Sequence, residues 1–319
     1  MIFRIIVAFI ISLVCTIYFM PKYISFLKKI SFNQSVSEYS LEEYKNKSKT
    51  PTMGGVLFVF FPVIITILIQ IQYLSKDLLV VLLAFVGYAF IGMLDDYLII
   101  IKKDNHGLSV IHKLLLQTIL AVIVYLVYRD YASLNVMVPI INKSLHLGFL
   151  YAPLILIMFT GSSNAVNITD GMDGLAAGCS FIAFLPFLGF SIIDGNTNIA
   201  VFIATMLGAL LGYLKYNVYP AKVFMGDAGS LALGGVLAAL SMVLKKELVF
   251  VVVAGIFVWE TLCVILQIGS VKLRKKRIFS YTPIHYAFVI KGISEKVVVK
   301  SFWKISLFFA STGFFLGLF

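Results

Sequence analysis

The sequence predicts an all-α polytopic integral membrane protein with about ten transmembrane helices. Of its 319 residues, 61% are hydrophobic and only 13% are charged, and the mean hydropathy is +1.00. A soluble domain is about 45–50% apolar and about 25% charged. This chain is more apolar and less charged than that, as expected of a protein that lies in a lipid bilayer. An ordinary cytosolic enzyme, a disordered chain and a disulfide-built secreted domain are therefore excluded.

Ten apolar runs have the length needed to cross a bilayer, for which a helix needs about 20 residues. They cover residues 2–21, 53–73, 77–94, 111–129, 149–168, 174–193, 198–216, 229–244, 248–270 and 301–318. No polar stretch between them is large enough for a separate domain. Residues 1–319 are therefore predicted to form one transmembrane domain.

The basic residues predict the orientation of these helices. The net charge is +11, and most lysines and arginines fall in alternate loops, at about 22–52, 95–110, 169–173, 217–228 and 271–300. Loops rich in lysine and arginine stay on the cytoplasmic side. This predicts that both termini lie on the extracytoplasmic side. The basic residues are therefore interpreted as topology signals and contacts with the lipid surface, and no nucleic-acid partner is predicted.

Carboxylates from three separate regions converge on the predicted cytoplasmic face. Asp95 and Asp96 end the third run, Asp170 and Asp173 lie between the fifth and sixth runs, and Asp227 precedes the eighth. Single acids at helix ends are often solvated or capping groups, and Asp170 can cap the sixth helix. Three groups on one face instead predict an active site there. Asp95, Asp96 and Asp227 offer the hard oxygen ligands that Mg²⁺ prefers.

Several other polar residues fall on the same predicted face. Lys47 and Lys113 are either phosphate contacts or ordinary solvated and interfacial lysines, and His285 can hydrogen-bond a phosphate. The glycine-flanked turn at 224–230 precedes a helix, whose first N–H groups suit an anion. Glu260 lies inside the ninth run, where a carboxylate needs a protein partner, and we predict a structural pairing role for it.

Six motifs occur in order along the chain. They are PTMGG at 51–55, GMLDDY at 92–97, NAVNITDGMDGLAAG at 164–178, FMGDAGSLALGG at 224–235, ETLCVILQ at 260–267 and PIH at 283–285. Together they resemble the polyprenyl-phosphate N-acetylhexosamine-1-phosphate transferase superfamily and, within it, the phospho-N-acetylmuramoyl-pentapeptide transferase family. The resemblance spans nearly the whole chain, and its last two motifs point to the muramoyl-pentapeptide branch.

The resemblance implies a reaction and a site. The implied reaction transfers phospho-MurNAc-pentapeptide from UDP-MurNAc-pentapeptide to undecaprenyl phosphate, with Mg²⁺, and forms lipid I and UMP in the bacterial cytoplasmic membrane. It implies that Asp227 is a direct Mg²⁺ ligand and that Asp95, Asp96, Asp227 and His285 are catalytic. Substrate-binding roles are implied for Lys47, Lys113, Asn167, Asp170, Gly171, Met172, Asp173, Asn217 and Phe224. A homodimer is also implied.

The chain departs from the family pattern at one informative place. Three consecutive histidines usually follow Pro-Ile, whereas this chain has His285, Tyr286 and Ala287. A mechanism that needs the second or third imidazole therefore does not apply here. Lys49 also replaces a glycine that is common before the PTMGG segment.

Two questions about the chemistry stay open at this stage. The acceptor phosphate either attacks the sugar-linked phosphorus directly, or an aspartate is phosphorylated first. A sister transferase that uses UDP-GlcNAc or a related UDP-sugar is an alternative, since the histidine run is altered. A secondary transporter is a more remote alternative, because transporters place polar groups near mid-membrane on broken helices, whereas this chain has its acids at helix ends.

Overall fold

The computed structural model describes residues 1–30, 50–102 and 107–319. Its helices and strands follow in chain order as α1 (Ile2–Lys29), α2 (Gly55–Gln70), α3 (Lys76–Lys102), α4 (Val110–Arg129), β1 (Asn135–Val138), β2 (Lys143–His146), α5 (Tyr151–Thr169), α6 (Leu175–Ile193), α7 (Thr197–Asn217), α8 (Asp227–Val243), α9 (Glu247–Val253), α10 (Gly255–Arg274), α11 (Ile284–Ile290) and α12 (Glu295–Leu316). A short 3₁₀ turn, Gly148–Leu150, precedes α5.

The predicted apolar runs all form helices in the described part of the chain. Within the described residues, eight helices are long and apolar enough to cross a membrane, and α2 and α8 are shorter apolar helices. The protein is therefore a multi-pass membrane protein, as its composition predicts. The single helix predicted over 248–270 is wrong, because the chain breaks at Ala254 into α9 and α10. A one-residue break of this kind leaves the hydropathy of the run unchanged, so the sequence does not reveal it.

A β-hairpin that the sequence analysis did not predict lies between α4 and α5. Its strands are antiparallel and pair Asn135 with His146 and Val138 with Lys143. Each strand has only four residues, and β2 is exposed throughout. Such short, largely exposed strands carry too little alternation to be separated from an ordinary loop.

Helix α8 forms the centre of the bundle. Every residue from 228 to 242 is buried, and α3 and α5 pack against it from two directions. The outer helices instead expose large apolar side chains, such as Phe3, Ile111 and Phe308. A helix that is apolar all round is buried in protein, whereas exposed apolar faces on outer helices suit a lipid surface.

Two close approaches bring the candidate site together. A Cβ atom at Gly92 of α3 would lie 2.0 Å from the carbonyl oxygen of Asp227, so the absence of a side chain lets α3 meet the start of α8. The segment before α2 pairs with the segment before α8, because Phe224 donates its N–H to Pro51 O and Gly54 donates to Phe224 O, each at 2.8 Å. The first contact places the end of α3, and the second the start of α2, beside the first turn of α8.

Candidate active site

The start of α8 is held by a carboxylate from α3. The N–H groups of Asp227 and Ala228 each donate to one oxygen of Asp96 at 3.0 Å. The first N–H groups of a helix have no partner within the helix, and here a side chain from a neighbouring helix provides one. Asp96 is buried and both its oxygens are engaged by backbone, so it fixes the position from which Asp227 projects.

Lys113 joins the other two carboxylates. Its ammonium group lies 2.6 Å from Asp227 Oδ2 and 3.0 Å from Asp95 Oδ2. The second oxygen of Asp95 accepts the N–H of Leu108 at 2.8 Å. Lys113, predicted as either a phosphate contact or an interfacial anchor, is thus the cation between Asp95 and Asp227. The three side chains come from α3, α4 and α8.

Asn167 completes the surroundings of Asp227. Its side-chain amide donates to Asp227 Oδ1 at 2.7 Å and to the Ser230 hydroxyl at 2.9 Å. Ser230 in turn donates to Gly226 O at 3.1 Å. The Asp227 carboxylate therefore has one neutral donor and one cation, and its side chain keeps 20% exposure. It is the more accessible partner of the pair, since the Asp95 side chain is only 4% exposed.

The donor set was tested against Mg²⁺. The described residues hold no group of three or more histidine, cysteine or acidic side chains that could bind a metal ion by themselves. Mg²⁺ commonly uses one or two protein carboxylates and fills its remaining positions with water and phosphate oxygens. Asp227 and Asp95 fit this requirement, because each has an oxygen that faces a cation, the Lys113 ammonium, rather than a backbone N–H. Asp96 does not fit it, because its oxygens hold the start of α8.

The loop between α5 and α6, residues 170–174, lies beside this cluster. Asp173 Oδ2 accepts the N–H of Ala221 at 2.9 Å, and the Asp173 N–H donates to Glu295 Oε1 at 2.8 Å. Asn217 accepts the Gly174 N–H and donates to Val223 O, each at 3.0 Å. The predicted site residues Asp173 and Asn217 are therefore buried clamps of the loop and of the segment before α8.

Asp170 connects the loop electrostatically to the carboxylate cluster. Burial, followed by the negative charges of Asp227 and Asp173, raises the pKa of Asp170 to about 7. The charge of Asp227 therefore acts on this loop. Of the other predicted residues of this region, Met172 is buried and Phe224 half-buried.

His285 occupies a different corner, against α10. Its ring Nδ1 lies 3.0 Å from Glu260 Oε1, and the N–H groups of Ile284 and His285 donate to the same carboxylate at 2.8 and 3.2 Å. The predicted pairing role of Glu260 is confirmed. His285 is fully buried, and its Nε2 makes no hydrogen bond within the described residues. The catalytic role of His285 stays a prediction.

Some functional positions differ from what the sequence suggested. Lys47, together with Lys49, lies outside the described residues. Sequence reasoning missed Glu295, Trp303 and Tyr286, which bond the loop at Asp173 N, Gly174 O and Gly171 O respectively. Nothing in their spacing marks them, because they lie more than 110 residues from the loop and meet it only through packing of α11 and α12.

Comparison with known proteins gives a consistent result. A model described as glycosyl transferase family 4 matches residues 78–245, and a phospho-N-acetylmuramoyl-pentapeptide-transferase signature matches residues 47–59. Relatives with that transferase name include proteins of Halalkalibacterium halodurans, 41% identical over 96% of this chain and 95% of its own length, and of Clostridium novyi, 43% identical over 98% and 96%. A Staphylococcus aureus relative is 42% identical over 97% and 98%.

Proposed function

Because the chain belongs to the phospho-N-acetylmuramoyl-pentapeptide-transferase family, we propose that it transfers phospho-MurNAc-pentapeptide from UDP-MurNAc-pentapeptide to undecaprenyl phosphate. The products would be lipid I and UMP. The observation that carries the proposal is the contact of Lys113 with Asp95 and Asp227 at the start of α8. Two anionic substrates need positive charge where they meet, and this corner provides a cation and a pair of carboxylates that fits a metal ion.

Asp227, together with Asp95, is proposed to hold Mg²⁺. When bound, the ion supplies positive charge that offsets the repulsion between the donor pyrophosphate and the acceptor phosphate. Asp96 keeps Asp227 in place through the backbone of α8. Asn167 orients the Asp227 carboxylate by donating to Oδ1.

The transfer step itself needs little proton chemistry. A phosphate monoester has a second pKa of about 6, so the acceptor is largely a dianion at neutral pH. Its oxygen forms a bond to the sugar-linked phosphorus, the bond from that phosphorus to the bridging pyrophosphate oxygen breaks, and UMP leaves with the bonding pair. Lys113 lies where it can balance charge on the phosphates during this exchange. This direct route is preferred over a phosphorylated aspartate, because Asp95 and Asp227 share a cation and Asp96 is engaged by backbone.

The loop 170–174 is proposed to bind the nucleotide. Asp170, Gly171, Met172 and Asp173 match the family's uridine-binding stretch, and the loop lies between the carboxylate cluster and α11. Lys47 is proposed as a pyrophosphate contact, Asn217 and Phe224 as parts of the nucleotide pocket, and His285 as a catalytic residue. Asp170 is the residue of this loop with an ionisable group close to Asp227.

The proposed setting is the bacterial cytoplasmic membrane. The loops rich in lysine and arginine, and with them the active site, face the cytoplasm, which has the nucleotide substrate. Both termini face outward, about ten helices cross the bilayer, and the chain forms a homodimer. The acceptor enters from the lipid, which explains why a reaction on a soluble nucleotide needs a membrane scaffold.

The test is UMP release by the purified full-length protein in detergent with undecaprenyl phosphate and Mg²⁺. UDP-MurNAc-pentapeptide and UDP-GlcNAc are offered in parallel. We expect release with the muramoyl substrate alone and loss of release in EDTA. Release with UDP-GlcNAc alone would favour the sister transferase. The sequence feature that supports this alternative is the presence of Tyr286 and Ala287 where the family has histidines. If a folded sample releases no UMP with either substrate, the transferase proposal is contradicted.

A further inference from the structure

The carbonyl of Gly171 accepts a hydrogen bond from a side chain of α11. The Tyr286 hydroxyl donates to Gly171 O at 2.9 Å. Tyr286 is the first residue at which the chain leaves the family's histidine run. The Tyr286 side chain extends from α11 to the middle of the loop between α5 and α6.

The loop and α11 are in direct contact at this point. A Cβ atom at Gly171 would lie 2.7 Å from the Tyr286 hydroxyl oxygen and 2.4 Å from His285 Nε2. Only glycine leaves room for both rings against the loop backbone. The Tyr286 ring is packed in turn against His285, with centroids 4.3 Å apart, and edge-on against Tyr281 at 5.8 Å.

The segment that carries Tyr286 is itself fixed to α10. Glu260 accepts the N–H groups of Ile284 and His285 and holds the His285 ring. Gln267 accepts the N–H groups of Ile278 and Phe279 at 2.9 and 3.0 Å. Glu260 and Gln267 are seven residues apart, two helical turns, and therefore share one face of α10. Both ends of the segment before α11 are thus bound to the same helix face, and Tyr286 projects from a rigid base.

We propose that Tyr286 is a positioning residue for the nucleotide-binding loop. The peptide unit is planar, so a hydrogen bond that fixes the Gly171 carbonyl also fixes the direction of the next N–H, that of Met172. A nucleobase presents amide-like donors and acceptors on its edge, and a loop backbone held in one orientation binds such an edge without first paying to become ordered. This inference rests on the proposed nucleotide-binding role of loop 170–174.

Removal of the hydroxyl alone should leave the loop in place. Glu295 still accepts from Asp173 N, Trp303 still donates to Gly174 O at 3.1 Å, and Asn217 still accepts from Gly174 N. A phenylalanine ring at 286 keeps the packing on His285 and Tyr281. The change therefore frees one peptide unit rather than unfolding the loop.

The test compares Tyr286→Phe with Tyr281→Phe in the full-length protein. Tyr281 is a matched control, because its ring touches Tyr286 and its hydroxyl makes no hydrogen bond within the described residues. UMP binding is measured by calorimetry, and KM and kcat are measured for both substrates. For Tyr286→Phe we expect UMP affinity to fall about 2- to 10-fold, the loss typical of one net hydrogen bond. The KM for UDP-MurNAc-pentapeptide should rise by the same factor, with kcat and the KM for undecaprenyl phosphate unchanged.

The possible outcomes separate this inference from the proposed function. Equal UMP affinity in the unmodified protein and Tyr286→Phe would overturn the positioning role alone. A fall in kcat with both KM values raised, or the same loss in Tyr281→Phe, would also overturn it, since either indicates general damage to the site. An unmodified protein that neither binds UMP nor releases it from UDP-MurNAc-pentapeptide would overturn the proposed function and this inference with it.

Discussion

The start of α8 and the loop 170–174 are held in opposite ways. At the start of α8, charged side chains hold one another, with Lys113 between Asp95 and Asp227, while Asp96 holds backbone N–H groups. In the loop, side chains from α7, α11 and α12 hold backbone atoms by hydrogen bonds.

The difference suggests a division of labour. Charges that balance one another are well placed to respond to charge that develops during a reaction. Backbone anchors instead set the shape of a surface before a ligand arrives. Substitutions at the start of α8 should therefore act mainly on kcat, and substitutions around the loop mainly on the KM of the nucleotide substrate.

The largest effect is expected for Asp227→Asn. The substitution is nearly isosteric, but it removes the charge that faces Lys113 and the proposed metal. We expect kcat to fall by about 10³-fold or more, with the nucleotide KM little changed. Asp194→Asn, at an exposed helix end, is the control and should retain activity. A raised KM with nearly normal kcat would break the division between the two regions.

Asp96→Ala should affect folding as well as turnover. It leaves the N–H groups of Asp227 and Ala228 buried without their acceptor, which destabilises the protein by about 1–3 kcal/mol. The first turn of α8 then shifts and carries Asp227 with it, so kcat should fall about 10- to 100-fold.

Measurements of the melting temperature and of kcat together distinguish the role of Asp96 from that of Asp95. We expect Asp96→Asn, which keeps one acceptor oxygen, to recover part of the lost melting temperature. Asp95→Asn should lower kcat with a smaller change in melting temperature. An Asp96→Ala protein with unchanged stability would show that the contact with the start of α8 is dispensable.

Lys113→Gln should reveal competition between the ammonium group and the metal. Without Lys113, Asp95 and Asp227 face each other with no cation, so they should bind Mg²⁺ more tightly. We expect about 10-fold lower kcat and a lower Mg²⁺ concentration for half-maximal activity. Mg²⁺ titration of the rate measures both, and Lys272→Gln, at an exposed position in the last turn of α10, is the control. A higher Mg²⁺ requirement would indicate that Lys113 assists metal binding instead.

The sequence predicted the charged region far better than the loop. Asp95, Asp96 and Asp227 were visible because acids are rare in apolar runs and must have a function or a partner there. Helical periodicity separates Asp95 and Asp96 by about 100° and predicts different roles for them, but it does not tell which one faces a cation and which one a helix start. The difference depends on Gly92, which lets α3 touch α8 at a particular register.

The loop's anchors were invisible for a related reason. Tyr286 lies on α11, whereas Glu295 and Trp303 lie on α12, which packs against α6. The spacing of these residues does not predict their contacts with the loop. The break at Ala254 and the hairpin at 135–146 were also missed, since neither changes the hydropathy enough to be seen. Glu260 was the exception, because a carboxylate within an apolar run demands a partner even when that partner, His285, is 25 residues away.

The smallest effect, and the most specific, is expected for Glu260→Gln. A glutamine keeps an acceptor oxygen for His285, but its amide end cannot accept the N–H of Ile284. The base of α11 loosens, and Tyr286 then holds Gly171 less well, so the nucleotide KM should rise about 2- to 5-fold with little change in kcat. Glu247→Gln is the matched control, since Glu247 is equally buried and bonded to Tyr151 at 2.7 Å but has no contact with the loop. It should lower the melting temperature without changing this KM.

A double-mutant cycle decides whether Glu260 acts through Tyr286. If it does, Glu260→Gln adds little to the nucleotide KM once Tyr286→Phe has removed the bond to Gly171. Residues that share a network give interaction energies of about 0.5–3 kcal/mol, whereas independent sites add. Additive effects on KM would show that α10 and α11 reach the nucleotide site by separate routes, and would reduce Glu260 to a stabiliser of the helix pair. A strongly non-additive cycle would instead show that Glu260 on α10 positions the loop through Tyr286.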